Sequence, residues 1–227
     1  MKLRTYYLFG LMLWAATACG QTGVAGGATA PARMGGVEGV PFSADVVDEM
    51  LQVLPDGNRI RQETHGKMYR DSQGRTRTED ELAPSLPGAR RVQIVHIYDP
   101  VEQVTITLNP ETKTAVVRHF AKQNLRQRRL SPSKTEDLGT KDVEGLTVTG
   151  TRQVETIKAG AVGNDKPLLS TTERWVSAEL KTTLLLVTND SRTPERTRRL
   201  VNIQRTEPDP ALFQIPPDYQ VQDGDPR

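Results

Sequence analysis

Three histidines, one cysteine and a run of cations are the residues whose types could carry chemistry. His65, His96 and His119 lie in β-rich stretches, and no HExxH or other ligand spacing joins them, so they read as strand residues, not a metal set. There is no G-x-S-x-G turn, no Gly-rich phosphate loop and no second cysteine for redox work. Carboxylates are plentiful but scattered, and nothing points to a general acid–base pair. The expectation is a protein that is not an enzyme and uses no metal or cofactor. Residues 112–135 hold Lys113, Arg118, Lys122, Arg126, Arg128, Arg129 and Lys134 with no acid among them. Such a patch suits anionic headgroups or an acidic partner, or it is a solvated loop balanced by acids elsewhere. Arg70, Arg75 and Arg77 flank a Gly-containing turn and read as a solvated hairpin tip.

The 227 residues carry 30 Lys+Arg against 28 Asp+Glu, which does not suggest a nucleic-acid binder. A single cysteine excludes a disulfide framework and a thiolate metal cluster. Residues 1–18 read as an export signal: Lys2 and Arg4 precede an apolar run, Leu8 to Ala16, too short to span a bilayer. Ala16-Thr17-Ala18 suits ordinary signal peptidase. Ala-Ala-Thr-Ala-Cys19 also resembles the bacterial lipobox, whose cysteine is acylated. Both fit the same bond, and a retained anchor helix is the third reading. Removing residues 1–18 takes away Lys2 and Arg4 and no acid, which leaves 28 basic against 28 acidic residues. Gly20 after Cys19 is, by resemblance to bacterial lipoproteins, an outer-membrane signal. Residues 19–43 are rich in Gly, Ala and Pro and read as a flexible tether. Residues 44–220 read as the folded domain and 221–227 as a polar tail.

The elements that must position any site are strands. No window beyond residue 45 keeps a 3.6-residue period, and short β-rich runs alternate with turn residues. Strands are expected at 45–54, 59–70, 75–82, 91–99, 102–109, 112–120, 146–157, 168–177, 180–189 and 196–206. Turns are expected at Asp56-Gly57-Asn58, at 71–74, Asn109-Pro110, Glu144-Gly145 and Asn189-Asp190-Ser191. Val92–Tyr98 and Leu184–Val187 are apolar on both faces and should be central strands. Arg75–Glu79 is polar throughout and reads as an edge or as an extension past the core. A helix is best placed at 119–130, and Asp209 caps a single turn through Phe213. The fold class is all-β: one strongly curved antiparallel sheet of about 10–11 strands, an open half-barrel.

Three segments resemble one family. Gln62–Tyr69 is similar to the second strand of the carriers that move lipoproteins to the outer membrane. Tyr98-Asp99-Pro100-Val101-Glu102-Gln103-Val104-Thr105 is similar to their Tyr, Asn/Asp, Pro, Glu-Gln hairpin. Asp209–Tyr219 is similar to their closing Asp…Phe…Pro-Pro segment. Glu173-Arg174-Trp175 with Leu184–Leu186 looks like a strand pair of related envelope-stress regulators. The resemblance implies a half-barrel whose concave face, under a lid of short helices, binds acyl chains of a lipidated partner. Its lining would then come from Ile94, His96, Tyr98, Leu184 and Leu186, with Trp175. Arg70 and Arg75 both lie near the position of that family's lid-holding arginine, and neither aligns with it. The resulting expectation is an outer-membrane lipoprotein facing the periplasm, or a soluble periplasmic protein if Cys19 is not acylated. The alternative is a non-catalytic envelope sensor or scaffold that binds a protein.

Overall fold

Short polar side chains set the turns, and the turns set the sheet. The computed structural model describes residues 38–82, 90–120 and 134–224. Asp56 accepts the N–H of Asn58 at 2.9 Å where Gly57 takes φ +84°. Asp71 accepts the N–H groups of Gln73 and Arg75 at 3.0 and 2.8 Å. Asp99 accepts those of Val101 and Glu102 at 2.8 and 2.9 Å. Asn109 accepts those of Glu111 and Thr112 at 3.0 and 3.2 Å. Each side chain stands in for a backbone acceptor at a tight reversal. Glu144 and Gly145 both have positive φ, 53° and 71°, as a two-residue hairpin turn requires.

These turns separate twelve strands: β1 Phe42–Val53, β2 Arg59–Arg70, β3 Thr76–Leu82, β4 Val92–Asp99, β5 Val104–Asn109, β6 Thr114–His119, β7 Lys134–Val143, β8 Leu146–Ile157, β9 Leu168–Ser177, β10 Thr182–Asp190, β11 Glu195–Gln204 and β12 Gln220–Asp223. They form one open sheet in the order β12-β6-β5-β4-β3-β2-β1-β11-β10-β9-β8-β7. Every pairing is antiparallel except that of β12 with β6. Among the described residues the one helical turn is Pro210–Phe213, capped by the Asp209 carboxylate on the N–H of Ala211.

The fold class is as expected, with twelve strands instead of 10–11. The two additions are β7 and β12, and the sheet reaches from Phe42 to Asp223, wider than 44–220. Residues 121–130 of the expected helix lie outside the described residues; His119 ends β6. β3 is a correction: it is interior, between β2 and β4. Thr76 and Thr78 are buried on one face, and on the other Arg77 pairs with Glu79 at 2.7 Å. A polar strand is tolerated inside a sheet when its groups satisfy one another. The solvated hairpin tip is a second correction. Arg70 is 1% exposed, and Arg75 is folded back onto the buried Asp71 at 2.6 Å.

The sheet has a core on each face. Phe42, Val46, Met68, Val148, Trp175 and Leu184 belong to one cluster, and Val95, Ile97, Ile106, Leu108 and Phe213 to the other. Arg198 of β11 reaches Asp80 of β3 at 3.0 Å on the first of these faces. Those strands are three places apart, about 14 Å in a flat sheet, so the sheet bends towards this inner face. On the outer face the chain after β11 crosses β3 to β6 as a strap. Leu212, Phe213, Ile215 and Tyr219 pack on the second cluster before β12 joins β6.

The β10–β11 turn predicts a pH dependence. The buried Asp190 carboxyl is held at about 2, chiefly by the Arg192 side chain at 2.6 Å and also by its N–H. An unfolded Asp titrates near 3.9. Its contribution is therefore complete above about pH 4 and lost as pH falls towards 2. Asp190→Asn should cost about 1–2 kcal/mol at pH 6, discounted for the half-exposed Arg192. The gap to the parent should narrow in urea titrations at pH 3. An equal gap at both pH values would refute the ion pair as its source.

Candidate functional site

Register places the candidate lining. Tyr98, His96 and Ile94 pair with Thr76, Thr78 and Asp80, which pair with Arg70, Met68 and Gly66 of β2. Leu186 pairs with Arg198, itself opposite Asp48 of β1. Ile94, His96 and Tyr98 thus share the inner face of the sheet with Phe42, Val46 and Asp48.

That face has three zones along β1. At one end Phe42, Ala44 and Val46 are at most 5% exposed. Leu184 and Trp175 belong to this filled end and are packed into the core, not presented to solvent. The reason for Trp175 lies opposite it: a Cβ on Gly150 would sit 2.5 Å from the indole, so the ring lies flat on bare backbone. Lys141 covers the ring with its ammonium 3.8 Å from the centroid. Arg70 closes this end. It donates from Nε to the carbonyl of Val40 at 2.9 Å and from Nη2 to the carbonyl of Leu180, and stacks over Phe42 at 4.7 Å. Burial pushes its guanidinium below the usual value.

The middle zone is charged. Arg198 bridges Asp48 at 3.1 Å and Asp80 at 3.0 Å, and Arg196 reaches Asp48 at 3.3 Å. Gly66 lies between Val46 and Asp80 in the register, and a Cβ on it would stand 2.2 Å from the Glu79 carbonyl oxygen. Only glycine lets β2 and β3 approach so closely there.

The far zone is open and mixed, with Gln52, Gln62 and Arg196 on the same face as its apolar side chains. Met50, Ile60 and Leu82 are 37%, 42% and 52% exposed, and the half-buried Val92 and Ile94 lie beside Leu82. His96 is exposed, with Nδ1 3.3 Å from the Thr107 hydroxyl. Tyr98 stacks on Phe120 with centroids 5.0 Å apart.

Elsewhere the candidates disperse. Arg118 is exposed and donates to the Gly224 carbonyl at 3.2 Å. Lys122, Arg126, Arg128 and Arg129 of the basic patch lie outside the described residues, as does Cys19. Lys113 pairs with Asp218 of the strap at 2.7 Å. Among the described residues no three His, Cys, Asp or Glu side chains are placed to hold a metal. A polar depression of ≈190 Å³ on the outer face is lined by Ser43, Asp45, Lys67, Tyr69, Asn202 and Gln204. Its groups satisfy each other: the Asn202 amide at 2.9 Å and Lys67 at 3.3 Å hold the Asp45 carboxyl below its usual value.

Sequence reasoning missed Arg70 and the Asp48–Arg198–Asp80 bridge. The only signal was spacing: charged residues two apart on a strand share a face.

The sequence matches no family model and no curated protein. Among solved structures it is similar to an uncharacterized conserved protein from Thermus thermophilus, with 15% identity over 82% of this chain and 91% of that one and a TM-score of 0.47. It is similar to MucB in complex with MucA(peri), with 14% identity over 81% of this chain and 57% of that one and a TM-score of 0.43. It is also similar to the LolA superfamily protein NE2245 from Nitrosomonas europaea, with 7% identity over 78% of this chain and 91% of that one and a TM-score of 0.36. These are likenesses of strand arrangement between distant sequences.

Proposed function

We propose that the chain is a non-enzymatic binding module of the bacterial envelope, exported and anchored by an acyl group on Cys19, that takes an acyl chain of a lipidated partner on the open zone of its inner face. The observation that carries this reading is the exposure of Met50, Ile60 and Leu82 on one face of a curved sheet, beside Val92 and Ile94. Exposed apolar side chains that share a concave face offer a partner hydrocarbon to bury, here with Gln52, Gln62 and Arg196 among them. Burying hydrocarbon there would stabilise a complex by about 0.8 kcal/mol per methylene. The three segments similar to lipoprotein carriers support the same ligand.

A second reading has its own support. The Asp48–Arg198–Asp80 bridge and the filled zone behind it leave no continuous apolar trough. A protein partner presenting a few apolar side chains and charges fits such a surface as well as a lipid does.

Native mass spectrometry of the untagged mature chain purified from a bacterial envelope separates the two. Co-purified lipid or lipopeptide is the expected result, reduced by Ile60→Asp. A lipid-free chain that retains a stoichiometric protein would replace the first reading with the second. The anchor has its own measurement: labelled palmitate enters the parent and not Cys19→Ala. Label kept by that variant would exclude acylation at Cys19.

A further inference from the structure

We infer that the polar depression on the outer face is a binding site for a neutral, hydroxyl-rich ligand, one ring of a saccharide. It lies on the face opposite to that of the acyl-chain reading and does not depend on it. Register on three adjacent strands builds its floor. Ser43 of β1 stands opposite Tyr69 of β2 and Gln204 of β11, and Asp45 stands opposite Lys67. Glu207 of the strap is held at the β2–β3 turn by the Ser72 N–H and hydroxyl, both at 3.1 Å, and no described strap residue lines the hollow. β11 carries a device that aims a side chain into it. Asn202 and Ile203 face Ala44 alone, a bulge in the β1–β11 ladder. Asn202 takes φ +54° there, a left-handed conformation that asparagine adopts at some cost. Its N–H is held at 3.0 Å by the carboxylate of Glu144, in the turn before β8, three places along the sheet.

The converging groups have capacity to spare. The Asp45 carboxylate takes Asn202 on one oxygen and Lys67 on the other, and each oxygen keeps a lone pair. The Lys67 ammonium spends one donor there and keeps the rest. Among the described residues the Ser43 and Tyr69 hydroxyls and the Gln204 amide form no side-chain hydrogen bond. The lining is therefore a mixed set of donors and acceptors around one half-buried aromatic ring. Its charges, Lys67 and Asp45, cancel, which disfavours an ion. Its apolar surface is confined to Tyr69 and Ala44, which disfavours hydrocarbon. A hydroxyl both donates and accepts, so a polyhydroxylated ring pairs with such a set, and its C–H groups cover the Tyr69 ring.

The test is an amide NMR titration of the mature chain, made without lipid as Cys19→Ser, with glucose, N-acetylglucosamine and the linear hexamer of the latter. Saturable shifts are expected at Asp45, Lys67, Tyr69 and Asn202. A Kd of about 1 mM is expected for a single ring, and the same value at about 0.5 M NaCl. Gln204→Ala and Tyr69→Phe each remove one hydrogen-bonding group and should weaken binding about fivefold. Asp45→Asn should weaken it about tenfold. Gln204 is exposed, and Phe keeps the ring against the outer core, so folding is not at stake. A hexamer bound more than about tenfold tighter than the single ring assigns the site to a polysaccharide, and equal affinities assign it to a free sugar. No saturable shift at these residues up to about 0.1 M sugar, or an affinity that none of the three variants moves, overturns the site. So does sodium phosphate that shifts these amides where the sugars do not. None of these results touches acyl binding on the inner face.

Discussion

Arg70→Met is expected to lower the unfolding free energy by about 3–5 kcal/mol, read as a fall in the midpoint of thermal unfolding of about 10 °C. Arg70 is almost completely buried, and its hydrogen bonds run to two carbonyls, of Val40 and Leu180, that no other strand pairing supplies. A buried carbonyl stripped of its donor costs about 1–3 kcal/mol, and this substitution strips the buried one of Leu180 and the half-buried one of Val40. Met fills much of the volume over Phe42, so the loss reports the hydrogen bonds more than a cavity. The consequence extends beyond stability. Val40 lies at the entry to β1 and Leu180 in the β9–β10 turn, and β1 is a sheet neighbour of neither β9 nor β10. Arg70 ties them together, so its loss frees both and opens the filled end. Arg70→Lys, with one compact ammonium in place of a fork, should fall between parent and Met. A loss under about 1 kcal/mol for the Met variant would mean that those carbonyls find other partners, and that Arg70 does not close this end.

What the sequence disclosed depends on whether a signal was local. Asp56, Asn109, Gly145 and Asp190 act within a few residues, and the turns they mark stand where their types place them. Alternation on β5 likewise translates directly: Val104, Ile106 and Leu108 are buried and Thr105 and Thr107 half-exposed. β7, Lys-Thr-Glu-Asp-Leu-Gly-Thr-Lys-Asp-Val, has too few apolar residues to show a period, because it is an edge strand with little to bury. β12 forms because β6 offers a free edge to the strap, a fact of topology and not of Gln-Val-Gln-Asp. The same limit governs the site. Ile94, His96 and Tyr98 could be put on one face by counting. That Arg198 meets Asp80 depends on strand order and on curvature, neither of which is written locally. Leu184 and Trp175 were expected to line a groove, but a two-faced apolar strand looks the same whether its second face meets a ligand or its own core. Gly150 decides for the core by giving the indole a flat place to lie.

Phe213→Ala tests whether the strap is structural, and it is expected to cost about 3–5 kcal/mol. The ring is 3% exposed, sits among Val95, Ile97 and Leu108, and has the Arg75 guanidinium over it at 5.0 Å. Arg77 holds the preceding residue, donating to the Leu212 carbonyl at 2.9 Å. Phe213 is thus the fully buried apolar anchor of the strap, and Arg77 ties the residue before it. Removing the ring leaves a void that the stiff strands β4 and β5 cannot close. Partial loss of the strap should follow, seen as faster proteolysis between residues 205 and 219 while β1 and β2 stay protected. Its detachment would also release β12 from β6, turning a covered edge into a free one, so aggregation at high protein concentration should rise in step. Val221, on β12 but 61% exposed, is the control: Val221→Ala should stay within about 0.5 kcal/mol of the parent. If Phe213→Ala matched that control, the outer core would be held by the sheet alone. The strap would then be free to leave, and the outer face, not the inner one, would become the larger apolar surface for a partner to cover.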